Sequence, residues 1–275
     1  MIDLHLHTTA SDGLLEPAAL VERAARAGLT IIAVTDHDTV SGIAEARAAG
    51  TRHGLDVVAG IEITAVEHGC DVHILGYFID AESAPLAEFL TTQRVDRVRR
   101  VREIGARLAS LGYPVDVESL LESAGRGSRS IGRPAIADAL VTAGHTADRN
   151  DAFARLLGRG QPAFVPRAGV AGATVVRVIH DAGGVASLAH PGLGPDDSLI
   201  EPLAAAGLDA IEVWHCDHTP EQRAHYFALA ERLGLARSGG SDFHGDAVHR
   251  SCRLGGIDVP RAEFDRLQSL ARVGR

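Results

Sequence analysis

Met1-Ile2-Asp3-Leu4-His5-Leu6-His7-Thr8-Thr9-Ala10-Ser11-Asp12-Gly13 opens the chain. A short apolar run carries two histidines one residue apart, and an acid and a turn glycine follow at once. In a β-strand residues i and i+2 share a face, so His5 and His7 can present two imidazoles to one point. Neutral imidazole is a common ligand for transition metals, and Asp12 can add an oxygen from the loop that follows. A His-x-His pair is a weak signal by itself, and its weight comes from what the rest of the chain sets beside it.

Working outward, short apolar runs alternate with helix-like segments, the signature of repeated βα units and a mainly parallel sheet. Strands are predicted at 2–6, 31–35, 57–63, 72–79, 185–189, 210–214 and 236–240. Helices are predicted at 17–27, 41–53, 173–182, 199–206, 221–233 and from residue 260 onward. The first has Pro17 in its opening turn and Gly28 as its stop. Seven strands, each followed by a helix or an insertion, make an α/β fold of the (β/α)7 barrel kind. Residues 1–79 and 171–275 form that barrel, and 80–170 form a helical insertion too long for an ordinary βα connection. The insertion holds a long helix at 85–111, a Gly/Ser/Arg loop at 125–130 and short helices at 134–143 and 151–157. Apolar residues at 95, 98, 101 and 104 give the long helix one buried stripe, so the arginines between 94 and 102 read as a solvated face.

Apolar residues are 45% of the 275 and aromatics only 4%, so the core is built from Ala, Val, Leu and Ile. A net charge of −9 argues against a general DNA- or RNA-coating surface, though not against a local anion site. With no apolar run of about 18 residues and no charged-then-apolar leader, no membrane span is predicted and the expected location is the cytoplasm. Cys70, Cys216 and Cys252 are widely spaced and odd in number, and are expected to be reduced and unpaired. All 27 basic residues are arginine. That removes a P-loop lysine, a Schiff base and a carboxylated-lysine metal bridge together. The oligomeric state is left open.

His7, His37, Glu62, His190, Asp242 and His244 fall at or just past the C-terminal ends of their strands, with His5 one step of the pleat inside. In a parallel α/β barrel that end is one face, where active sites form. With Asp12 and His73 the set comprises six imidazoles and three carboxylates. These are too many for one ion but suit two or three, with positions left for water or substrate. Glu62 is the natural bridge, since its two oxygens can bind two cations. Mixed nitrogen and oxygen ligands without thiolate favour Mn²⁺, Fe²⁺ or Zn²⁺ over Mg²⁺ or Ca²⁺. Three divalent ions against three carboxylates and a bridging hydroxide leave a surplus of positive charge, and phosphate is the obvious guest. His215 and His218 follow the sixth strand at the same face, where they can contact substrate. His53, His68, His145, His180, His225 and His249 have no such placement.

The segments DLHLHTTASDG, TDHD, GIEIT, VHILGY, AHPG and GSDFHG resemble, in order, the motifs of the polymerase-and-histidinol-phosphatase (PHP) family of metal-dependent phosphoesterases. The likeness runs from Met1 to about Arg272 and is closest to a stand-alone bacterial branch with a helical insertion. It implies a distorted (β/α)7 barrel with two or three metals, often manganese, and action on 3′,5′-nucleotide bisphosphates or short RNA 5′ ends. Under that resemblance His5, His7, Glu62 and Asp242 hold one metal, Glu62, His73 and His190 a second, and Asp12, His37 and His244 a third. Asp12 replaces a histidine found in some other branches. The branch usually has Arg-Pro-His-Ile-Ala in its insertion, with the Arg and His on the substrate phosphate. Here Arg133 is present but Ala135 stands where the histidine is expected. Arg159, Arg167 and His215 are further candidate substrate contacts.

The expected activity is phosphate-ester hydrolysis by attack of a metal-bridging hydroxide, with Asp242 as proton acceptor and a nucleotide bisphosphate or short 5′-phosphorylated oligonucleotide as substrate. The alternatives are a small-molecule phosphatase, such as one acting on histidinol phosphate, and a catalytically idle metal-binding module. A carbon–nitrogen hydrolase is disfavoured, because its bridging lysine does not exist here.

Overall fold

The computed structural model describes residues 1–125, 130–194, 197–246 and 253–272, so His249, Cys252 and most of the loop expected at 125–130 lie outside the described residues. Strands β1 (Ile2–Leu6), β2 (Ile31–Val34), β3 (Asp56–Glu67), β4 (Cys70–Tyr77), β5 (Val185–Leu188), β6 (Ala210–His215) and β7 (Ala236–Gly240) form one sheet in that spatial order. A parallel bridge between Leu6 and Phe243, just past β7, brings the last edge back to the first, with His7 N donating to Phe243 O at 3.1 Å. The sheet is thereby a nearly closed seven-stranded barrel, as the sequence pattern predicts.

Helices α1 (Pro17–Arg26) and α2 (Ile43–His53) cover the first strands. Between β4 and β5 run α3 (Ala84–Ser110), α4 (Val117–Gly125), α5 (Arg133–Thr142) and α6 (Arg149–Ala152), the last running into a π-helical turn at Phe153–Leu157. Then α7 (Gly172–Asp181), α8 (Ile200–Ala205), α9 (Pro220–Leu233) and α10 (Arg261–Arg272) complete the outer layer. Local chemistry sets the boundaries. Pro17 sits in the first turn of α1, whose Leu20, Val21 and Ala24 are buried. Thr219 and Gln222 close a reciprocal capping box on α9, satisfying two orphan donors. Helix α4 has no counterpart in the sequence reading. Among the described residues no helix is long and apolar enough to cross a membrane.

One strand breaks the expected rhythm. β3 continues to Glu67 and turns straight back through His68-Gly69 into β4, which pairs antiparallel with both β3 and β5. His68 and Gly69 have φ of 49° and 73°, the positive values that a tight hairpin turn of this length demands at both central positions. No helix follows β3, contrary to the expected helix or insertion after each strand. Apolar runs report burial and give the sequence reading no information on strand direction. The reversal has a consequence for chemistry: β4 enters from the rim where the parallel strands end, so His73, three residues into it, still reaches that rim.

The segment between β4 and β5 has a second apolar cluster, in which Val101, Ile104, Leu108, Ile136, Leu140 and Leu156 pack together. Helix α3 belongs to both cores: Leu86 and Leu90 pack with the barrel, Ile104 and Leu108 with the second cluster. Its 27 residues span about 40 Å at the α-helical rise. Its buried stripe follows the predicted one only at Val101 and Ile104. Val95 is 68% exposed, whereas Gln93 and Arg100 are buried. The inward neighbours of this stretch are carboxylates, so polar side chains hold positions that an apolar count assigns to solvent. The cysteine reading is also corrected: Cys70 is a free thiol, but Cys216 is disulfide-bonded.

Barrel closure requires glycine at the end of β7. A Cβ on Gly240 would lie 2.3 Å from His5 Cβ and 2.4 Å from its backbone nitrogen, and neither atom can swing away. Gly240→Ala is expected to cost about 3 kcal/mol through forced strand separation, read as a lower urea midpoint.

Candidate metal centre

Alternation along β1 turns Asp3, His5 and His7 toward the barrel interior while Ile2, Leu4 and Leu6 enter the apolar clusters. The following loop is pinned by the buried Asp36 carboxylate, which accepts from Thr8 N at 2.8 Å, Thr8 Oγ1 at 2.7 Å and Ser11 Oγ at 2.6 Å. That anchorage sets Asp12, whose oxygens lie 3.3 Å from His244 Nε2 and 3.8 Å from His37 Nε2.

Glu62 stands at the middle. Its Oε2 lies 3.3, 3.2 and 3.1 Å from ring nitrogens of His5, His7 and His37, and its Oε1 lies 2.8 and 3.2 Å from those of His73 and His190. The two oxygens of one fully buried carboxylate thus divide five imidazoles into two sets. Asp242 faces His5 at 3.3 Å and His7 at 3.1 Å, and its other oxygen lies 3.6 Å from His215 Nε2. His190 and Asp242 hold φ of 27° and 51°, values that side chains other than glycine adopt only when their surroundings enforce them. At His190 the enforcement is visible, since its backbone N–H donates to Glu212 Oε2 at 2.7 Å.

The chemistry of the donor set fits metal ions. Four groups of ligand atoms gather within 4.8 Å: His5, His7 and Glu62; His5, His190 and Asp242; His37, Glu62 and His73; and His7, Asp12, His37 and His244. Although His7 approaches two carboxylates, neither of its ring nitrogens has hydrogen-bond geometry, and His37 Nδ1 and Asp12 Oδ1 are likewise buried without a hydrogen bond. Buried polar atoms left without partners are costly, and a cation partners several such ligands together. His215, Cys216 and Asp217 also lie close together, but the disulfide removes the thiolate.

The electrostatics describe the same demand. Burial would lower His7, but the adjacent Asp242 and Glu62 carboxylates push it up to about 10. His37 is brought down to about 3, chiefly by burial. Burial would raise Glu62, but His37 and then His73 hold it well below the usual carboxylate range.

Beside the cluster, Asp12, His37 and His73 share a pocket with Arg97, Arg100, Arg133 and Arg167. Asp38 pairs with Arg97 and lies 3.4 Å from Arg167. Asp71 lies 3.0 Å from Arg133, 3.6 Å from Arg167 and 4.0 Å from Arg100. Four guanidiniums therefore face two carboxylates, and burial with repulsion from Arg133 and Arg167 lowers Arg100 to about 10. Such a wall lacks negative charge, and an anion would supply it.

The structure brings His5, His7, Asp12, His37, Glu62, His73, His190, Asp242 and His244 into one cluster, with His215 buried behind Asp242. Arg133 and Arg167 reach the adjoining pocket. Arg159 does not: it is exposed at the β3–β4 turn, donating to Cys70 Sγ. His218 is a packing residue, with Nδ1 on Val213 O and Nε2 accepting from Gly192 N. Sequence reasoning missed Arg97 and Arg100, whose spacing with Gln93 and Ile104 along one helical face was the available signal. It also missed Glu212, a buried acid in the middle of β6.

Because His7 keeps its proton up to about pH 10 in the metal-free protein, a metal taking that nitrogen must displace it. Zn²⁺ binding near pH 7 is expected to release at least one proton, with affinity rising as pH rises. Calorimetry in buffers of different ionisation enthalpy checks this, and an enthalpy independent of buffer contradicts it.

Comparisons with known proteins agree with these features. A family profile for the PHP domain matches residues 3–113. Over 249 residues the chain is 38% identical to a 5′-3′ exoribonuclease of Escherichia coli, covering 88% of this chain and 84% of the relative. It is 36% identical over 268 residues to a 3′,5′-nucleoside bisphosphate phosphatase of Chromobacterium violaceum, covering 95% and 91%. A solved structure from Bifidobacterium adolescentis, described as a metal-dependent phosphoesterase, superposes with a TM-score of 0.89 at 35% identity, covering 100% of this chain and 98% of that one.

Proposed function

Since this chain belongs to the PHP domain family, we propose that it is a metal-dependent phosphoesterase releasing phosphate or mononucleotides from 3′,5′-nucleoside bisphosphates or short 5′-phosphorylated RNA. The observation that carries this reading is the adjacency of the two features above: a nine-residue cluster of imidazoles and carboxylates and a guanidinium-rich pocket that share His37, His73 and Asp12 as a common wall.

The residues divide the work by their chemistry. His5, His7, Asp12, His37, Glu62, His73, His190, Asp242 and His244 would hold two or three divalent ions, with Glu62 shared between them. Manganese is the ion we would load first, with iron and zinc next. Such ions, when bound, supply Lewis-acid polarisation of a phosphoryl oxygen and lower the pKa of water. Asp242 is the carboxylate we assign as proton acceptor, with the buried His215 Nε2 3.6 Å behind it. Arg133 and Arg167, joined by Arg97 and Arg100, bind a phosphate group of the substrate, taking over the ion pairs now made to Asp71 and Asp38. A substrate with two phosphate groups suits this arrangement, one at the metal-binding cluster and one at the guanidiniums. With three other guanidiniums in the pocket, Ala135 in place of the expected histidine does not leave the wall without donors. We read 80–170 as the insertion that covers the site and 1–79 with 171–275 as the catalytic barrel.

Two outcomes test the assignment. With Mn²⁺ added, phosphate or mononucleotide release from a nucleoside bisphosphate should far exceed that from histidinol phosphate, and Glu62→Ala should reduce it to background. Turnover on no phosphate ester at all would end the proposal. Arg100→Ala and Arg133→Ala should each raise KM for the bisphosphate about 10- to 100-fold, the loss of one charge-assisted hydrogen bond, with a smaller change on a monophosphate. Equal effects on both substrates would remove the second-phosphate role.

A further inference from the structure

Glu212 is fully buried beneath the metal-binding cluster, and its two oxygens go to two different ligand residues. Oε1 lies 3.0 Å from His5 Nδ1, and Oε2 accepts the backbone N–H of His190 at 2.7 Å. A carboxylate only accepts, so this contact keeps a proton on His5 Nδ1 when Nε2, which faces Glu62 and Asp242 at 3.3 Å each, gives up its own to a metal. The second contact holds His190 at φ 27°, a conformation its side chain would otherwise abandon, with Nε2 aimed at Glu62 Oε1 at 3.2 Å. His5 and His190 meet opposite oxygens of Glu62, so one buried acid orients ligands on both halves of the centre.

We infer that Glu212 is a positioning residue for metal loading, fixing the tautomer of His5 and the backbone of His190 together. This rests on the reading of His5 and His190 as metal ligands. The amide variant separates the role from simple packing. Glu212→Gln keeps the shape but offers one acceptor oxygen to two donors, so one of them must face an NH₂ group. His5 escapes that clash by moving its proton to Nε2, which blocks the nitrogen that would bind metal.

The experiment is chelator competition with Zn²⁺ on the full chain, alongside long-range ¹H–¹⁵N spectra of the histidines and thermal unfolding without metal. Glu212→Gln should bind Zn²⁺ about 10- to 100-fold more weakly, the usual range for loss of a group that orients a metal ligand, and the His5 Nδ1–H signature should be lost. Parent-like affinity and an unchanged His5 signature would overturn the inference, as would a fall in metal-free stability with no change in affinity. If the amide variant does not fold, Glu212→Asp, which draws both oxygens back by one methylene, should show the same loss in smaller degree, and parent-like affinity there overturns it equally. His5→Ala is the control for the underlying reading. If it binds Zn²⁺ like the parent, the ligand assignment has failed, whereas loss there with no loss in Glu212→Gln refutes only the positioning role.

Discussion

Five imidazoles converge on one carboxylate that solvent does not reach, and the rest of the molecule is arranged around sustaining that convergence. Buried nitrogens and oxygens without partners are expensive, and charges of one sign gathered in a dry place repel. Holding Glu62 within 2.8–3.3 Å of its neighbours therefore needs stiffness from elsewhere. The closure of β7 against β1 over Gly240 supplies part of it, and the Asp36 clasp on the first loop supplies more. The strained backbones at His190 and Asp242 are where that stiffness is spent.

Much of this was legible before any coordinates. Alternation within Ile2–Leu6 put His5 and His7 on one face, and the rule that α/β barrels build sites at strand C-termini gathered distant histidines and acids into one set. What escaped detection did so for identifiable reasons. The reversal at His68-Gly69 was invisible because an apolar run reads the same in either direction, although the Gly after a polar residue between two β-rich runs was a hairpin signal. Arg97 and Arg100 were read as solvent-facing because a search for buried stripes counts only apolar residues, and this stripe faces carboxylates. Glu212 lies within a strand rather than at its end, and in sequence an acid between Ile211 and Val213 looks like any outward position of a half-exposed strand. Arg159 failed in the opposite sense: an arginine in a glycine-rich loop suited a phosphate site, but the loop packs on the hairpin turn.

The two halves of the site come from different parts of the fold with opposite electrostatic needs. The barrel contributes carboxylates and imidazoles, which want cations. The segment between β4 and β5, chiefly through α3 and α5, contributes guanidiniums, which want anions. Asp38 and Asp71 sit at the seam and keep the guanidiniums extended toward the pocket. A ligand that carries negative charge and also engages cations fits both demands at once, and this explains how a chain of net charge −9 can still present an anion-seeking surface at one place.

Helix α3 is embedded at one end beside Leu86 and Leu90 and at the other beside Ile104 and Leu108, which makes it a strut rather than a flap. Arg97 and Arg100 ride on its middle section, so they cannot swing outward unless one of the two cores comes apart. The entropy of arraying those cationic heads is therefore surrendered once, when the chain folds, and each arriving molecule meets a wall already in place. Selectivity in such a design comes from how well the newcomer spans a fixed gap, not from how the protein reshapes itself around it.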